Sequence, residues 1–238
     1  MDMQIIELKQ DIIRDNEITA GGLRNEMKDG AKLMINIMSA PGSGKTSTLI
    51  RTIQGLEGVA RVGVMECDID ASVDAETIAN AGGKAVQLHT GGMCHMDADM
   101  TKQGLDALGL DDVDVIFIEN VGNLVCPAEF DTGAALNVSI LSVPEGDDKP
   151  SKYTLMYSVC DAVLINKIDA MQVFDFDIEA AKQRIHKCNP DADVFCISAK
   201  TGEGFNDWID WLKGKMAQFA AGSLPVSAFE RHEAEEGK

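Results

Sequence analysis

The sequence predicts an α/β fold in which a mostly parallel β-sheet carries helices on both faces. Short apolar runs, typical of strands buried on both sides, alternate along the chain with segments of helical periodicity. A glycine-rich turn follows the first of these runs, where a strand gives way to a helix. A chain of 238 residues is long enough to form one sizeable domain of this class.

The predicted elements follow in a regular order. A first helix covers residues 4–28 and is expected to break near the glycines of "TAGG" (19–22). Apolar runs predict strands at 32–40, 61–67, 85–89, 112–119, 135–143, 161–167 and 193–198. Periodic segments between them predict helices at 45–56, 73–81, 95–107, 177–187 and 204–217.

The chain therefore divides into one domain with two extensions. Residues 1–30 are interpreted as an N-terminal helical appendage, and residues 31–218 as the α/β domain. Residues 219–238 combine weak periodicity with clustered charge, which favours a flexible tail.

Composition excludes several classes of function. The formal net charge of −18 leaves no basic surface for nucleic acid, so DNA and RNA are not expected as partners. Apolar runs are too short for a membrane span, and the charged N-terminal stretch does not look like a signal peptide. The six cysteines are dispersed, which predicts reduced thiols and a cytoplasmic location.

The segment "SAPGSGKTS" (39–47) predicts a phosphate-binding loop, because it joins a strand to a helix. Its glycines allow backbone N–H groups to surround phosphates, Lys45 reaches the terminal phosphates, and Thr46 binds Mg²⁺ through its hydroxyl. Ser39 replaces the first glycine of the usual pattern. The predicted phosphate-binding residues are Gly42, Ser43, Gly44, Lys45, Thr46 and Ser47.

A second motif predicts guanine as the base, and therefore GTP and GDP as ligands. "INKID" (165–169) ends a strand, and a carboxylate at Asp169 accepts hydrogen bonds from the N1 and N2 donors that adenine lacks. "SAK" follows another strand end and is expected to close over the base. The predicted base-binding residues are Asn166, Lys167, Asp169, Ser198, Ala199 and Lys200. An ATP-dependent kinase or ligase is the alternative that Asp169 opposes.

Carboxylates at other strand ends are candidates for catalysis. Asp68 and Glu119 are predicted to join Thr46 around Mg²⁺, and Asp70 to polarise the attacking water. Acidic residues are also common at helix starts, because their negative charge interacts favourably with the helix dipole. Asp70 therefore has this alternative explanation. Gly122, in "ENVG", is predicted to donate its N–H to the γ-phosphate.

The stretch "TGGMCHMDADM" (90–100) leaves three interpretations open. Cys94 and His95 are either metal ligands, a nucleophile with its base, or structural residues at the start of a helix. Adjacent side chains seldom align for nucleophilic catalysis, which disfavours the second interpretation. Cys126 lies just beyond the segment predicted to sense the γ-phosphate, so metal geometry and nucleotide state would be linked.

Taken together, the motifs resemble the HypB family of nickel-inserting GTPases, relatives of the urease protein UreG. The similarity covers residues 32–217, and the segments "ENVGNLVCP" and "EGDDKPSKY" are its most diagnostic parts. The resemblance implies a P-loop NTPase fold and GTP hydrolysis, with nickel delivery during maturation of nickel–iron hydrogenase. It also implies a GTP-dependent homodimer with Cys94, His95 and Cys126 as ligands of Ni²⁺ or Zn²⁺ at the interface.

The same resemblance implies two protein partners, a nickel chaperone of the HypA type and the hydrogenase large-subunit precursor. The first thirty residues contain no cysteine and no histidine, so an N-terminal nickel site or store like that of some members is not expected. Asp97 and Asp99 stand where some members have a further histidine. The alternatives are a metallochaperone for a urease-type or cobalamin enzyme, or a GTP-switched interaction protein without a metal.

Overall fold

A computed structural model describes residues 8–68 and 73–236 and contains a seven-stranded sheet in the order β3-β2-β4-β1-β5-β6-β7. Every neighbouring pair of strands is parallel. The strands are β1 (Leu33–Ser39), β2 (Val62–Asp68), β3 (Lys84–His89), β4 (Val115–Glu119), β5 (Leu136–Ser142), β6 (Ala162–Asn166) and β7 (Asp193–Cys196). The predicted fold class is confirmed.

Helices cover both faces of the sheet. They are α1 (Leu8–Asp29), α2 (Lys45–Gly55), α3 (Val73–Asn80), α4 (Ala98–Leu108), α5 (Cys126–Glu129), α6 (Lys149–Lys152), α7 (Thr154–Ser158), α8 (Ile178–Cys188), α9 (Phe205–Ala220) and α10 (Ala228–Glu236). One core joins the sheet to α2, α3 and α9, and two further cores join its other face to α1, α4, α7 and α8. Within the described residues, no helix is long and apolar enough to span a bilayer.

The strand order explains where a ligand site forms. β1 lies at the centre of the sheet and is buried at every position, with β4 on one side and β5 on the other. The chain after β1 therefore crosses over β4 to reach β2 on one side, and later returns to β5 on the other side. Parallel α/β sheets bind ligands beyond the carboxyl ends of strands at such a switch point.

Helix α1 is continuous, contrary to the break expected near residues 19–22. Ala20, Leu23 and Met27 lie on one face and are buried against the core that includes α4. The two glycines at 21 and 22 face open space. Tertiary packing of the apolar face thus outweighs the low helix propensity of two glycines, a penalty of about 1 kcal/mol each.

The structure also differs from the flexible tail expected over residues 219–238. Residues 228–236 form α10, in which Phe229 is buried. The Ala228 N–H donates to Asp161 Oδ1 (2.7 Å), and the Arg24 guanidinium contacts Glu230 (3.2 Å) as well as Asp131 (2.6 Å). Arg24 thereby fastens α10 to α1, a long-range contact that sequence periodicity does not reveal.

The packing of α10 predicts that the stability of the folded protein depends on pH through the carboxyl of Glu233. Partial burial, and then the negative charges of Asp131 and Glu17, raise the pKa of Glu233 from 4.5 to about 7. The folded protein keeps this proton to a higher pH than the unfolded chain, so stability falls as pH rises from 4.5 to 7. Glu233→Gln should remove that loss and raise the free energy of unfolding at pH 8 by about 1 kcal/mol, after allowance for solvent screening.

Thermal unfolding of Glu233→Gln at pH 8 and pH 5 tests this prediction, with Glu235→Gln on the exposed part of α10 as the matched control. The gain should shrink toward the lower pH. An equal gain at both pH values, or an equal gain in the control, would contradict it.

Candidate nucleotide and metal site

The loop of residues 39–47 connects β1 to α2 and has the backbone of a phosphate cradle. Gly42 and Gly44 have φ of 73° and 99°, values that side-chain-bearing residues rarely adopt. Ser43 Oγ donates to Ser39 Oγ (2.6 Å), and Lys45 Nζ donates to the same oxygen (3.3 Å). The Ser39 hydroxyl thus contacts two loop residues, an arrangement that the glycine pattern alone did not reveal.

A pocket of about 400 Å³ opens at this loop, beyond the carboxyl ends of β1, β2 and β4. Its walls are formed by Pro41, Gly42, Gly44, Lys45, Thr46, Ser47, Glu66, Cys67, Glu119, Asn120, Val121 and Gly122. A Cβ at Gly122 would lie 3.1 Å from the Pro41 backbone, so glycine permits these two loops to approach closely. The structure thus brings together the predicted phosphate loop and the predicted γ-phosphate sensor.

Two oxygen atoms suited to binding Mg²⁺ lie at the N-terminus of α2. Thr46 Oγ1 donates to Glu119 Oε1 at 2.8 Å, and the Glu119 side chain is buried. A hydroxyl and a carboxylate are the hard ligands that Mg²⁺ prefers. The Asp68 side chain and all of Asp70, also predicted to serve here, lie outside the described residues.

The segment following β6 contacts the phosphate loop directly. Asn166 Nδ2 donates to the Ser43 carbonyl (2.9 Å), and the Ala199 N–H donates to Asn166 Oδ1 (3.0 Å). Lys167 has a left-handed backbone (φ 65°), and its Nζ donates to the Gly42 carbonyl (2.5 Å). Asn166 therefore joins the two predicted base-binding segments to the phosphate loop.

Asp169 is held by the second of those segments. Ser198 Oγ donates to Asp169 Oδ1 at 2.6 Å, which fixes the orientation of the carboxylate. Arg51, on α2, donates to the carbonyls of Ala199 (2.7 Å) and Lys200 (2.9 Å). Sequence reasoning missed Arg51, because its partners lie far along the chain and no motif marks it.

Cys94, His95 and Cys126 converge on one point. Their ligand atoms all lie within 4.8 Å of one another, with 2.8 Å between the two Sγ atoms and 3.8 Å between Cys94 Sγ and His95 Nδ1. The predicted helix start at 95 is too early. Asp97 instead caps α4 by accepting from the Met100 N–H (2.8 Å), so Cys94 and His95 lie in the preceding loop.

The loop conformation explains how two adjacent residues reach the same point, which a regular helix does not allow. Cys126 approaches from the other side as the first residue of α5. Two sulfurs and an imidazole form a donor set that fits Zn²⁺ or Ni²⁺.

The surroundings favour a neutral imidazole. His95 is buried and stacks on Phe130 with ring centres 3.8 Å apart. Burial lowers the pKa of His95, against the opposing charges of Asp97 and Glu129. The hydrogen bond with Cys94, and then burial, raises the pKa of the Cys126 thiol.

These contacts disfavour Cys94 and His95 as a nucleophile and its base. The 3.8 Å separation exceeds a normal hydrogen bond between nucleophile and base. His95 Nε2 is buried without a hydrogen-bond partner in the described part of the chain, so the orienting third group of a catalytic triad is missing there.

Cys67, the other thiol beside the pocket, is separate from this cluster. Its side chain is buried in β2, and burial raises its pKa well above the ordinary value.

Comparison with known proteins follows the same pattern. The nucleotide-binding domain described as CobW/HypB/UreG matches residues 33–196. The hydrogenase maturation factor HypB of Azotobacter vinelandii is 43% identical over 212 residues, which cover 88% of this chain and 69% of the relative. The hydrogenase/urease maturation factor HypB of Helicobacter hepaticus is 38% identical, covering 90% of this chain and 89% of the relative.

A solved structure gives the same result at the level of the fold. The crystal structure of HypB from Helicobacter pylori in complex with nickel superposes with a TM-score of 0.81 at 36% identity. The match covers 86% of this chain and 96% of that chain.

Proposed function

Since the chain belongs to the HypB family of hydrogenase maturation factors, we propose that it hydrolyses GTP and delivers nickel during maturation of nickel–iron hydrogenase. One observation carries the proposal. Cys126, which completes the cluster with Cys94 and His95, ends the segment 119–126, whose first residues line the phosphate pocket. A metal site and a nucleotide site that share one segment suit a protein that releases metal according to nucleotide state.

Guanine is the proposed base, on account of Asp169. Its Oδ1 is occupied by Ser198, which leaves the carboxylate fixed for the paired donors of guanine. The two predicted base-binding segments, 166–169 and 198–200, are hydrogen-bonded to each other, and the first of them is hydrogen-bonded to the phosphate loop. Base and phosphates would therefore be bound by one rigid unit.

Asp169→Asn should exchange guanine for xanthine, whose carbonyl replaces the exocyclic amine. The amide NH₂ of the variant donates to the xanthine carbonyl. With guanine, the same NH₂ faces the exocyclic amine, which is also a donor, so no hydrogen bond forms there. We expect the ratio of GTP to xanthosine triphosphate affinity to fall by roughly 100-fold or more. Equilibrium titration with GTP, ATP and xanthosine triphosphate measures it, with Asp175→Asn in the same exposed loop as the charge-matched control. An unchanged ratio, or tighter ATP than GTP in the wild type, would refute guanine recognition.

Hydrolysis is phosphoryl transfer to water, in which the chain mainly binds and orients. Lys45, the loop N–H groups and the N-terminus of α2 place positive charge around the phosphates. The Gly122 N–H is suited to the γ-phosphate, which would draw segment 119–122 toward the phosphate loop. Mg²⁺, bound through Thr46 and Glu119, would offset the charge that develops on the phosphate oxygens. Asp68 and Asp70 remain candidates from the sequence for the ion and for the attacking water.

The metal is proposed as cargo rather than as a resident cofactor. Three ligands from one chain leave a fourth position for water, for a receiving protein or for a second copy. Zn²⁺ fits the same donors, so selectivity for Ni²⁺ would rest on geometry and supply. The nickel-bound HypB of Helicobacter pylori supports nickel as the ion.

A homodimer around this site is the proposed assembly. Met93 and Val125 adjoin the two cysteines in sequence and are exposed by 40% and 49%, an apolar rim suited to burial against a second copy. A HypA-type nickel chaperone and the hydrogenase large-subunit precursor are the proposed partners for loading and delivery. The six free thiols suit a reducing compartment, for which we propose the cytoplasm.

The alternative recipient is a urease-type enzyme, which the name of the Helicobacter hepaticus relative favours. The test incubates the nickel-loaded protein with either apo-urease or the hydrogenase large-subunit precursor, in GTP or in GDP. Nickel incorporation into the hydrogenase subunit that depends on GTP supports the proposal, and incorporation only into urease reassigns the recipient. Equal transfer in both nucleotides would contradict a GTP-driven delivery.

A further inference from the structure

The side chain of Asn120 lies between the metal loop and the nucleotide pocket. It is fully buried, and its Oδ1 accepts two backbone N–H groups, from Met96 (3.1 Å) and from Val121 (2.9 Å). We propose that Asn120 is a positioning residue that couples nucleotide state to the Cys94–His95–Cys126 site. This inference rests on the proposed function and adds the residue through which it is regulated.

On the metal side, the contact reaches the residue directly after His95. The Met96 side chain is fully buried in the core shared with α1 and α4. Its backbone N–H has Asn120 as its acceptor. Core packing of the Met96 side chain and the Asn120 contact of the Met96 N–H therefore both fix the residue next to His95.

On the nucleotide side, Asn120 belongs to the segment that would respond to the γ-phosphate. Asn120, Val121 and Gly122 all line the pocket, and Gly122 approaches Pro41 of the phosphate loop. Because one oxygen accepts from both Met96 and Val121, a shift of the 120–122 backbone changes the support of the metal loop. The same segment continues to Cys126, so two of the three ligands are reached by separate routes.

The orientation of this amide is fixed by further buried side chains. Asn120 Nδ2 donates to Asn36 Oδ1 (3.0 Å), and Asn36 Nδ2 donates to Asn137 Oδ1 (2.9 Å). Asn36 and Asn137 are paired neighbours in β1 and β5, and Asn120 directly follows β4 on the other side of β1. The Nδ2 contact directs Oδ1 toward Met96, because a rotated amide would place donor against donor at Met96 and acceptor against acceptor at Asn36.

The test measures nickel affinity of the full chain with GDP and with a non-hydrolysable GTP analogue. Allosteric couplings commonly correspond to about 5- to 150-fold changes in affinity. We expect the two nickel affinities of the wild type to differ by at least about fivefold, and those of Asn120→Ala by less than about twofold. By reciprocity, nickel should change the affinity for the analogue relative to GDP by the same factor in each protein.

The control is Thr52→Val, which removes an equally buried hydrogen bond from Trp208 Nε1 (3.0 Å) away from both segments. It should keep the wild-type ratio, which separates coupling from loss of stability. Should Asn120→Ala fail to fold, Asn120→Ser replaces it, because a side chain one bond shorter cannot serve both N–H groups.

Three results overturn the inference. A folded Asn120 variant that keeps the wild-type ratio of the two nickel affinities overturns the inference but leaves the proposed function intact. A wild type that binds both nickel and GTP, with the same nickel affinity in GDP and in the analogue, also overturns the inference. A wild type that binds no nickel at Cys94 and Cys126 would overturn the proposed function along with it.

Discussion

Nickel affinity should fall by at least about 100-fold when Cys94 or Cys126 is replaced by serine. Loss of a residue that only orients a ligand commonly costs 10- to 100-fold in metal affinity, so loss of the thiolate itself should cost no less. A serine hydroxyl is a harder and far less acidic donor than a thiol, so it does not replace the sulfur for Ni²⁺. The 2.8 Å between the two Sγ atoms makes both cysteines part of one site, so the double variant should lose little more than either single one.

Competition against a chromophoric nickel chelator measures this effect. Cys188→Ser is the matched control, because this thiol is half-buried on α8 and donates to the Pro150 carbonyl (3.4 Å), away from the cluster. Wild-type affinity in both cysteine variants would show that nickel binds elsewhere. Strictly additive losses in the double variant would show two separate sites.

The second large effect is expected at Lys45. Its Nζ is held by Ser39 and lines the phosphate pocket, where positive charge stabilises the phosphates more in the transition state than in the ground state. We expect Lys45→Ala to lower the rate constant of GTP hydrolysis by roughly 100- to 1,000-fold, the loss found when one such donor is removed. Single-turnover hydrolysis at saturating GTP separates this loss from weaker binding.

Lys102→Ala, on the exposed surface of α4, removes the same charge and should hydrolyse GTP at the wild-type rate. A Lys45→Ala variant with an unchanged rate would mean that Lys45 does not stabilise the transition state of hydrolysis.

The sequence predicted the fold class because it depends on local patterns. Apolar strands alternate with periodic helices, and the glycine turn after β1 marks the first crossover. The clustering of the phosphate loop with Glu119 and Gly122 also follows from the rule that parallel strands end at one edge. That Cys94, His95 and Cys126 bind metal, and that the named residues bind GTP, stay predictions.

Other features depend on contacts between distant residues and leave no periodic signal. Arg24 joins α1 to α10, Arg51 holds the carbonyls of the 198–200 loop, and Asn120 accepts from Met96. At the "TAGG" glycines, local propensity predicted a helix break that does not occur. Packing of the apolar face of α1 against the core, which involves distant residues, keeps the helix continuous.

Nickel release from the loaded protein is the most direct measurement of whether nucleotide state controls the metal. The protein, charged with one equivalent of Ni²⁺, is mixed with a chromophoric chelator and then with GTP, GDP, ATP or a non-hydrolysable GTP analogue. We expect the release rate with the analogue to differ at least about fivefold from the rate with GDP. With GTP, release should begin at the rate seen with the analogue and change to the rate seen with GDP as GTP is hydrolysed. ATP should have no effect. Identical rates in all four nucleotides would contradict this expectation.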